Sequence, residues 1–265
     1  MTDTITERFS PREIELGEGP IGCFLIHGFT GSTYELQGLA EFLSRQGFRV
    51  TAKLLAGHGT TIQDCNLVRA EDWVHEIEFH FTEFFLQCET TFVLGLSMGA
   101  GLALYLSTLF PVAGIVAMSS ALILNFRWLR WYLPLIAPFC SSISKDRAEA
   151  RKNTAQHPHY GYHYYPPNGL RAMLKLNRYI QAGLSKVTLP TLVMHSRADT
   201  TAPFENANLV FNRIRSEDKT LITYGHSGHV LPDSSEKEKV WSDILNFLTL
   251  HIPKQTRAIP LHQSR

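Results

Sequence analysis

Short apolar runs alternate along this chain with longer stretches whose apolar residues recur every three to four positions. The first run, Ile21–Ile26, stops at His27-Gly28. A strand buried on both faces reads this way, because neither face needs polar residues. From Thr33 to Gln46 the spacing predicts a helix with Leu36, Leu39, Ala40 and Leu43 on its inner face. Phe48–Leu55 predicts a strand. Ala70–Cys88 predicts a helix, with Trp73, Ile77, His80 or Phe81, and Phe84 at helical spacing. Strands follow at Thr90–Leu94 and Val112–Ser119, with a helix opening at Ala100 between them. Thr191–His195 and Thr220–Tyr224 predict the last strands. Phe204–Ile214 and Glu236–Leu250 predict the last helices, the second with Val240, Trp241, Ile244, Leu245 and Leu248 facing inward. Strands alternating with helices imply an α/β fold, a mainly parallel sheet covered on both faces.

The alternation breaks over residues 123–185. This interval carries Trp128, Trp131, Pro166-Pro167 and the tract from Gln156 to Tyr165, rich in His and Tyr. A structureless loop of that length is uncommon in a compact domain. The expectation is a cap insertion with small helices at 123–185, over a core formed by 1–122 and 186–265.

Composition narrows the class. The chain has 265 residues, 44% of them hydrophobic, enough for a sizeable core. A net charge of +1 gives no reason to expect a nucleic-acid partner. No charged residue occurs from Thr90 to Phe126, a length that could span a bilayer. Gly95, Gly99, Gly101, Pro111 and Gly114 interrupt it, however, and it parses as strand, helix, strand. No integral membrane association is expected. Cys23, Cys65, Cys88 and Cys140 form no C-x-x-C pair, so free thiols are expected. The first residues lack the basic and apolar regions of a signal peptide, which makes the expected location cytoplasmic.

Candidate chemistry centres on Gly95-Leu96-Ser97-Met98-Gly99. This G-x-S-x-G lies between a predicted strand and a predicted helix, where it holds a serine on a strained turn with its hydroxyl presented outward. A serine hydroxyl is a weak nucleophile at neutral pH and needs a base, oriented by a third group. The parts follow in the order Ser, acid, His, each on a loop after a strand. Asp199 stands in the turn after Thr191–His195, although a turn before a helix also suits a capping Asp. Asp233 is its rival. Both His226 and His229 lie after the last strand. Ser227-Gly228 gives His229 a flexible approach, whereas His226 sits nearer the strand end, where packing is expected to fix it. The developing oxyanion needs N–H donors. Met98, next after the serine, supplies one, and Phe29 in His27-Gly28-Phe29-Thr30-Gly31 is the best placed to supply the other.

Together with Gly57-His58-Gly59-Thr60, Asp72-Trp73 and Ser227-Gly228-His229-Val230, these motifs resemble the α/β-hydrolases, specifically the bacterial carboxylesterase and monoacylglycerol lipase group. The resemblance covers about 14–122 and 186–250, and in the interval between it holds only in position. It implies Ser97 as nucleophile, Asp199 as acid, His229 as base, and Phe29 and Met98 as oxyanion donors. The implied reaction is hydrolysis of a carboxylic ester through an acyl-enzyme, with a small-molecule ester as partner and no cofactor. A thioesterase or lysophospholipase on the same triad, or a non-catalytic ligand-binding protein, are the alternatives.

The remaining features read as structure. His58 suits a structural hydrogen bond. His157, His159 and His163 lack Cys, Asp or Glu at ligand spacing, so no metal is expected. Arg127 and Arg130 beside Trp128 and Trp131 suit a solvated helix as well as a membrane surface. Leu122, Ile123, Leu124, Leu133, Leu135, Ile136 and Phe139 are expected to make an apolar acyl site. Oligomeric state is open between monomer and dimer.

Overall fold

The computed structural model describes residues 12–125, 132, 133, 135, 137, 140–145 and 161–253. Nine strands lie among them. They are β1 Ile14–Leu16, β2 Ile21–Ile26, β3 Arg49–Ala52, β4 Thr90–Leu96, β5 Gly114–Met118, β6 Ile143–Ser144, β7 Tyr164–Tyr165, β8 Thr191–Ser196 and β9 Lys219–Tyr224. Seven form one sheet in the order β1-β3-β2-β4-β5-β8-β9. β1 pairs antiparallel with β3, and every other neighbouring pair is parallel. This is the α/β-hydrolase architecture that the sequence implied. β6 and β7 form a separate antiparallel pair inside the interval 123–185.

Helices among the described residues include α1 Tyr34–Arg45, α2 Ile62–Leu67, α3 Ala70–Phe85, α4 Met98–Leu106, α5 Pro167–Gly183, α6 Glu205–Arg213 and α7 Lys237–His251. The two-residue period of the strands divides their side chains between two cores. On one face Phe24, Ile26, Val93, Ile115, Ala117 and Val193 pack under α3 to α6. On the other Cys23, Leu25, Leu94, Val116, Met118 and Met194 pack under α1 and α7. Both sets are at most 1% exposed, which explains why these strands read as unbroken apolar runs.

The charge-free stretch resolves into β4, α4 and β5, and no helix among the described residues is long and apolar enough to cross a membrane. The four cysteines are unpaired. In the interval 123–185, α5 runs for 17 residues, longer than the small helices expected there. Pro166 and Pro167 start it, because proline at the first turn loses no intrahelical bond. Trp128, Trp131, Arg127, Arg130, His157 and His159 lie outside the described residues.

The described part of the interval is bonded to the loops at the C-terminal ends of the strands. Tyr162 donates its N–H to Thr30 O at 2.9 Å and its hydroxyl to Gly57 O at 2.7 Å. Lys145 Nζ donates to Thr30 Oγ1 at 2.7 Å. Asn177 on α5 donates to Ala121 O at 2.7 Å. Of the apolar residues expected at an acyl site, Leu122, Leu124 and Leu133 share one core cluster. Leu122 and Leu133 are buried, but Leu135 is 68% exposed. Ile136 and Phe139 lie outside the described residues.

Candidate active site

Four loops at the C-terminal edge of the parallel strands converge. Ser97 stands between β4 and α4 at φ 59°, ψ −114°, a conformation that L-residues rarely adopt. Its flanking glycines are sterically required. A Cβ on Gly95 would lie 2.1 Å from Gly99 O, and one on Gly99 would lie 2.2 Å from Ile26 O. The turn is thus clamped between its own helix and the end of β2. The Ser97 N–H donates to Met118 O at 2.9 Å, which fixes the elbow to β5.

The structure brings three of the sequence-predicted residues into one hydrogen-bonded chain. His229 Nε2 lies 2.9 Å from Ser97 Oγ, and its Nδ1 lies 2.7 Å from Asp199 Oδ2. An ionised carboxylate only accepts, so Nδ1 carries the proton and Nε2 faces the serine with its lone pair. Asp199 Oδ1 accepts the N–H groups of Thr201 and Ala202 at 2.8 and 2.9 Å. Burial alone would raise the Asp199 pKa. Attraction to His229 and hydrogen bonds from His195, His229 and the Ala202 N–H outweigh it, holding the carboxyl well below its usual range. Asp233, the rival acid, pairs instead with Lys237 at 3.5 Å.

His226 departs from expectation, for it is exposed rather than fixed by packing. It is its backbone that is held, its N–H donating to Glu236 Oε2 at 3.0 Å. The same Oε2 accepts the buried Ser227 hydroxyl at 2.7 Å. Glu236 therefore sets the loop that carries His229.

Met98 opens α4, so its N–H has no acceptor one turn back in the helix. Phe29 is held by aromatic contacts, its ring 5.8 Å from Trp73, 5.9 Å from His58 and 6.4 Å from Tyr165, centroid to centroid. Two histidines order the loop. His27 Nε2 accepts the Leu55 N–H at 3.1 Å, and its Nδ1 donates to Gly28 O at 2.8 Å. His58 Nε2 accepts the Thr30 N–H at 3.0 Å, and its Nδ1 donates to Ala56 O at 3.0 Å. Burial lowers their pKa values to about 4 and about 3, so both serve as neutral bridges. Trp73 Nε1 reaches the same Ala56 O at 3.0 Å, while Asp72 caps α3 through Arg69.

A family model described as "Serine aminopeptidase, S33" (Hydrolase_4) matches residues 22–236. The chain belongs to this family. This Hydrolase_4 protein is 30% identical over 244 residues to a thermostable monoacylglycerol lipase of Bacillus sp. (strain H-257), covering 88% of this chain and 92% of the lipase. It is 26% identical to a carboxylesterase of Bacillus subtilis (strain 168), over 90% of this chain and 96% of that one. A solved structure from work on "LipS and LipT, two metagenome-derived lipolytic enzymes" superposes with a TM-score of 0.84 at 27% identity, covering 91% of this chain and 98% of that chain.

Two side chains at this Hydrolase_4 site escaped the sequence reading. His195, wholly buried on β8, puts Nε2 3.1 Å from Ala202 O and 3.4 Å from Asp199 Oδ2. Its signal was a polar residue closing an apolar strand. Glu35, in the first turn of α1, reaches back under the Gly28–Gly31 loop.

Proposed function

We propose that this protein hydrolyses carboxylic esters with aliphatic acyl chains, either short-to-medium acyl esters or monoacylglycerols, through an acyl-enzyme. The observation that carries this reading is the unbroken hydrogen-bonded chain from Ser97 Oγ through His229 to Asp199. Ser97 Oγ attacks the ester carbon while His229 Nε2 takes its proton. Asp199 keeps the imidazole in the tautomer that can accept and stabilises the imidazolium. The N–H groups of Phe29 and Met98 receive the oxyanion. The intermediate collapses by breaking the bond to the alcohol oxygen, which takes the proton from His229. Water, deprotonated by His229, then attacks the acyl carbon and releases the acid and free Ser97.

Residues 123–185 act as a cap that sets acyl preference. The bonds from Tyr162 and Lys145 to Thr30, the residue after Phe29, support this. The partner is a small-molecule ester, with no nucleic acid. Unpaired cysteines suit a reducing compartment such as the cytoplasm.

A panel of p-nitrophenyl esters and monoacylglycerols of graded length, acyl thioesters, and an aminoacyl anilide tests the reading. The anilide is included because the family is described as aminopeptidase. Rates should be highest on esters and should depend on chain length, by up to about fourfold for each methylene that is buried. Faster turnover of the thioester or the anilide, or no dependence on length, would overturn it.

A further inference from the structure

We propose that Glu35 is a positioning residue of the ester-cleaving site: its ionised carboxylate braces the Gly28–Gly31 loop and favours the imidazolium of His229. This rests on the hydrolase reading above.

The carboxyl occupies a hollow that two glycines leave open. A methyl on Gly31 would lie 2.2 Å from Glu35 Oε2. A methyl on Gly28 would lie 3.2 Å from Ser97 Cβ and 3.6 Å from Glu35 Oε2. Gly28 therefore lies against both the nucleophile's side chain and this acid. Oε2 accepts the Gly28 N–H at 3.4 Å, a long bond that leaves the loop room to tighten around a charged intermediate. The next N–H along the loop belongs to Phe29.

Charged or titratable groups on other elements act electrostatically on the carboxyl. They are His229 after β9, Lys145 after β6, and Asp233 in the turn Leu231–Asp233. Burial pushes Glu35 up to about 7. His229, the Gly28 N–H and Lys145 pull it down, and Asp233 adds a weaker push. Attraction between Glu35 and His229 is mutual. An ionised Glu35 makes His229 a better proton acceptor, which helps when the serine proton is transferred. A carboxyl that ionises near neutrality adds a second proton to the acid limb of the rate profile.

The test is Glu35→Gln, which keeps size and a carbonyl acceptor but removes charge, with Glu35→Asp as the charged control. At pH 8, kcat on a non-ionising ester should fall about tenfold in Glu35→Gln while KM moves less than about twofold, the order expected when an orienting partner is lost. The acid limb of kcat/KM should shift to lower pH, because the anion that favours the imidazolium is gone, and its steepness should drop to that of one proton. Glu35→Asp should recover part of kcat and the steeper limb. A Glu35→Gln profile that superposes on wild type overturns the proposal. If Glu35→Gln does not fold, the pH dependence of fluorophosphonate inactivation of wild type decides. A limb steeper than one proton supports the proposal, and a one-proton limb overturns it. Failure is separable from failure of the parent reading. Activity surviving in Ser97→Ala removes the hydrolase reading, whereas an indifferent Glu35→Gln in an enzyme that Ser97→Ala kills removes only the role of Glu35.

Discussion

Replacing Asp199 by Asn should cost far more than the loss of one negative charge suggests. Oδ1 accepts two backbone N–H groups, from Thr201 and Ala202, at 2.8 and 2.9 Å. In Asp199→Asn the amide oxygen must take that place, since an NH2 there would face two donors. The NH2 then points at His229 Nδ1, 2.7 Å from the atom it replaces. An NH2 cannot accept, so the imidazole must offer the lone pair of Nδ1 and carry its proton on Nε2. That proton then faces Ser97 Oγ at 2.9 Å, and the histidine can no longer act as base. His195 does not reverse this, because its Nε2 lies 3.4 Å from Oδ2 and has a nearer partner in Ala202 O at 3.1 Å. The wrong tautomer of such a base costs about four decades in kcat, or about 5.4 kcal/mol of transition-state stabilisation. The assay is steady-state hydrolysis of a p-nitrophenyl ester at pH 8, with circular dichroism to confirm folding. A folded Asp199→Asn within about tenfold of wild type, well outside the loss expected for a wrong tautomer, would refute the argument.

Gly99→Ala should destabilise by about 3 kcal/mol or more, because its methyl would lie 2.2 Å from a backbone oxygen of β2; a thermal melt within about 1 kcal/mol of wild type contradicts the clamp. His229→Ala should abolish turnover, while His226→Ala, exposed and held only through its backbone, should stay within about twofold of wild type, as surface changes do; steady-state rates on purified variants decide. The folded pKa of Glu35 lies above its unfolded value, rising from 4.5 to about 7, so the folded state binds the extra proton between these values. The penalty is absent below pH 4.5 and full above pH 7, and Glu35→Gln should therefore be more stable than wild type at pH 8 by at most about 3 kcal/mol. Denaturant titrations at pH 4.5 and pH 8 measure the difference, and equal gaps at both pH values contradict it.

The central strands were legible because burial on both faces writes itself as unbroken apolar sequence, as in Ile21–Ile26 and Thr90–Leu96. Ser97 was legible because the steric demand of its turn places glycine on both sides. β1 escaped because three residues at a sheet edge, none of them fully buried, carry no periodic signal. α2, six residues long and held by the Thr61–Asp64 capping box, was too short to show a face. α5 was hidden by the His, Tyr and Pro tract before it, although its inner residues Leu170, Met173, Leu176 and Ile180 are spaced at three to four. Glu35 sits in a first turn, where an acidic residue is unremarked. What makes it unusual is the hollow left by Gly28 and Gly31, which exists only once the loop has folded back over α1. Lys145 and Tyr162 reach Thr30 across more than a hundred residues, and no local pattern announces such a contact. Leu135 is exposed, which composition could not tell, because it counts apolar residues without saying which way they face.

Whether Ser97 is the nucleophile is decided by intact-mass and peptide analysis after treatment with a fluorophosphonate. One phosphonate per chain is expected, on Ser97, with ester turnover lost in parallel, and no adduct on a folded Ser97→Ala variant. Labelling of another residue, or a Ser97→Ala variant that keeps more than about a tenth of the wild-type rate when loss of such a nucleophile costs several decades, would contradict it.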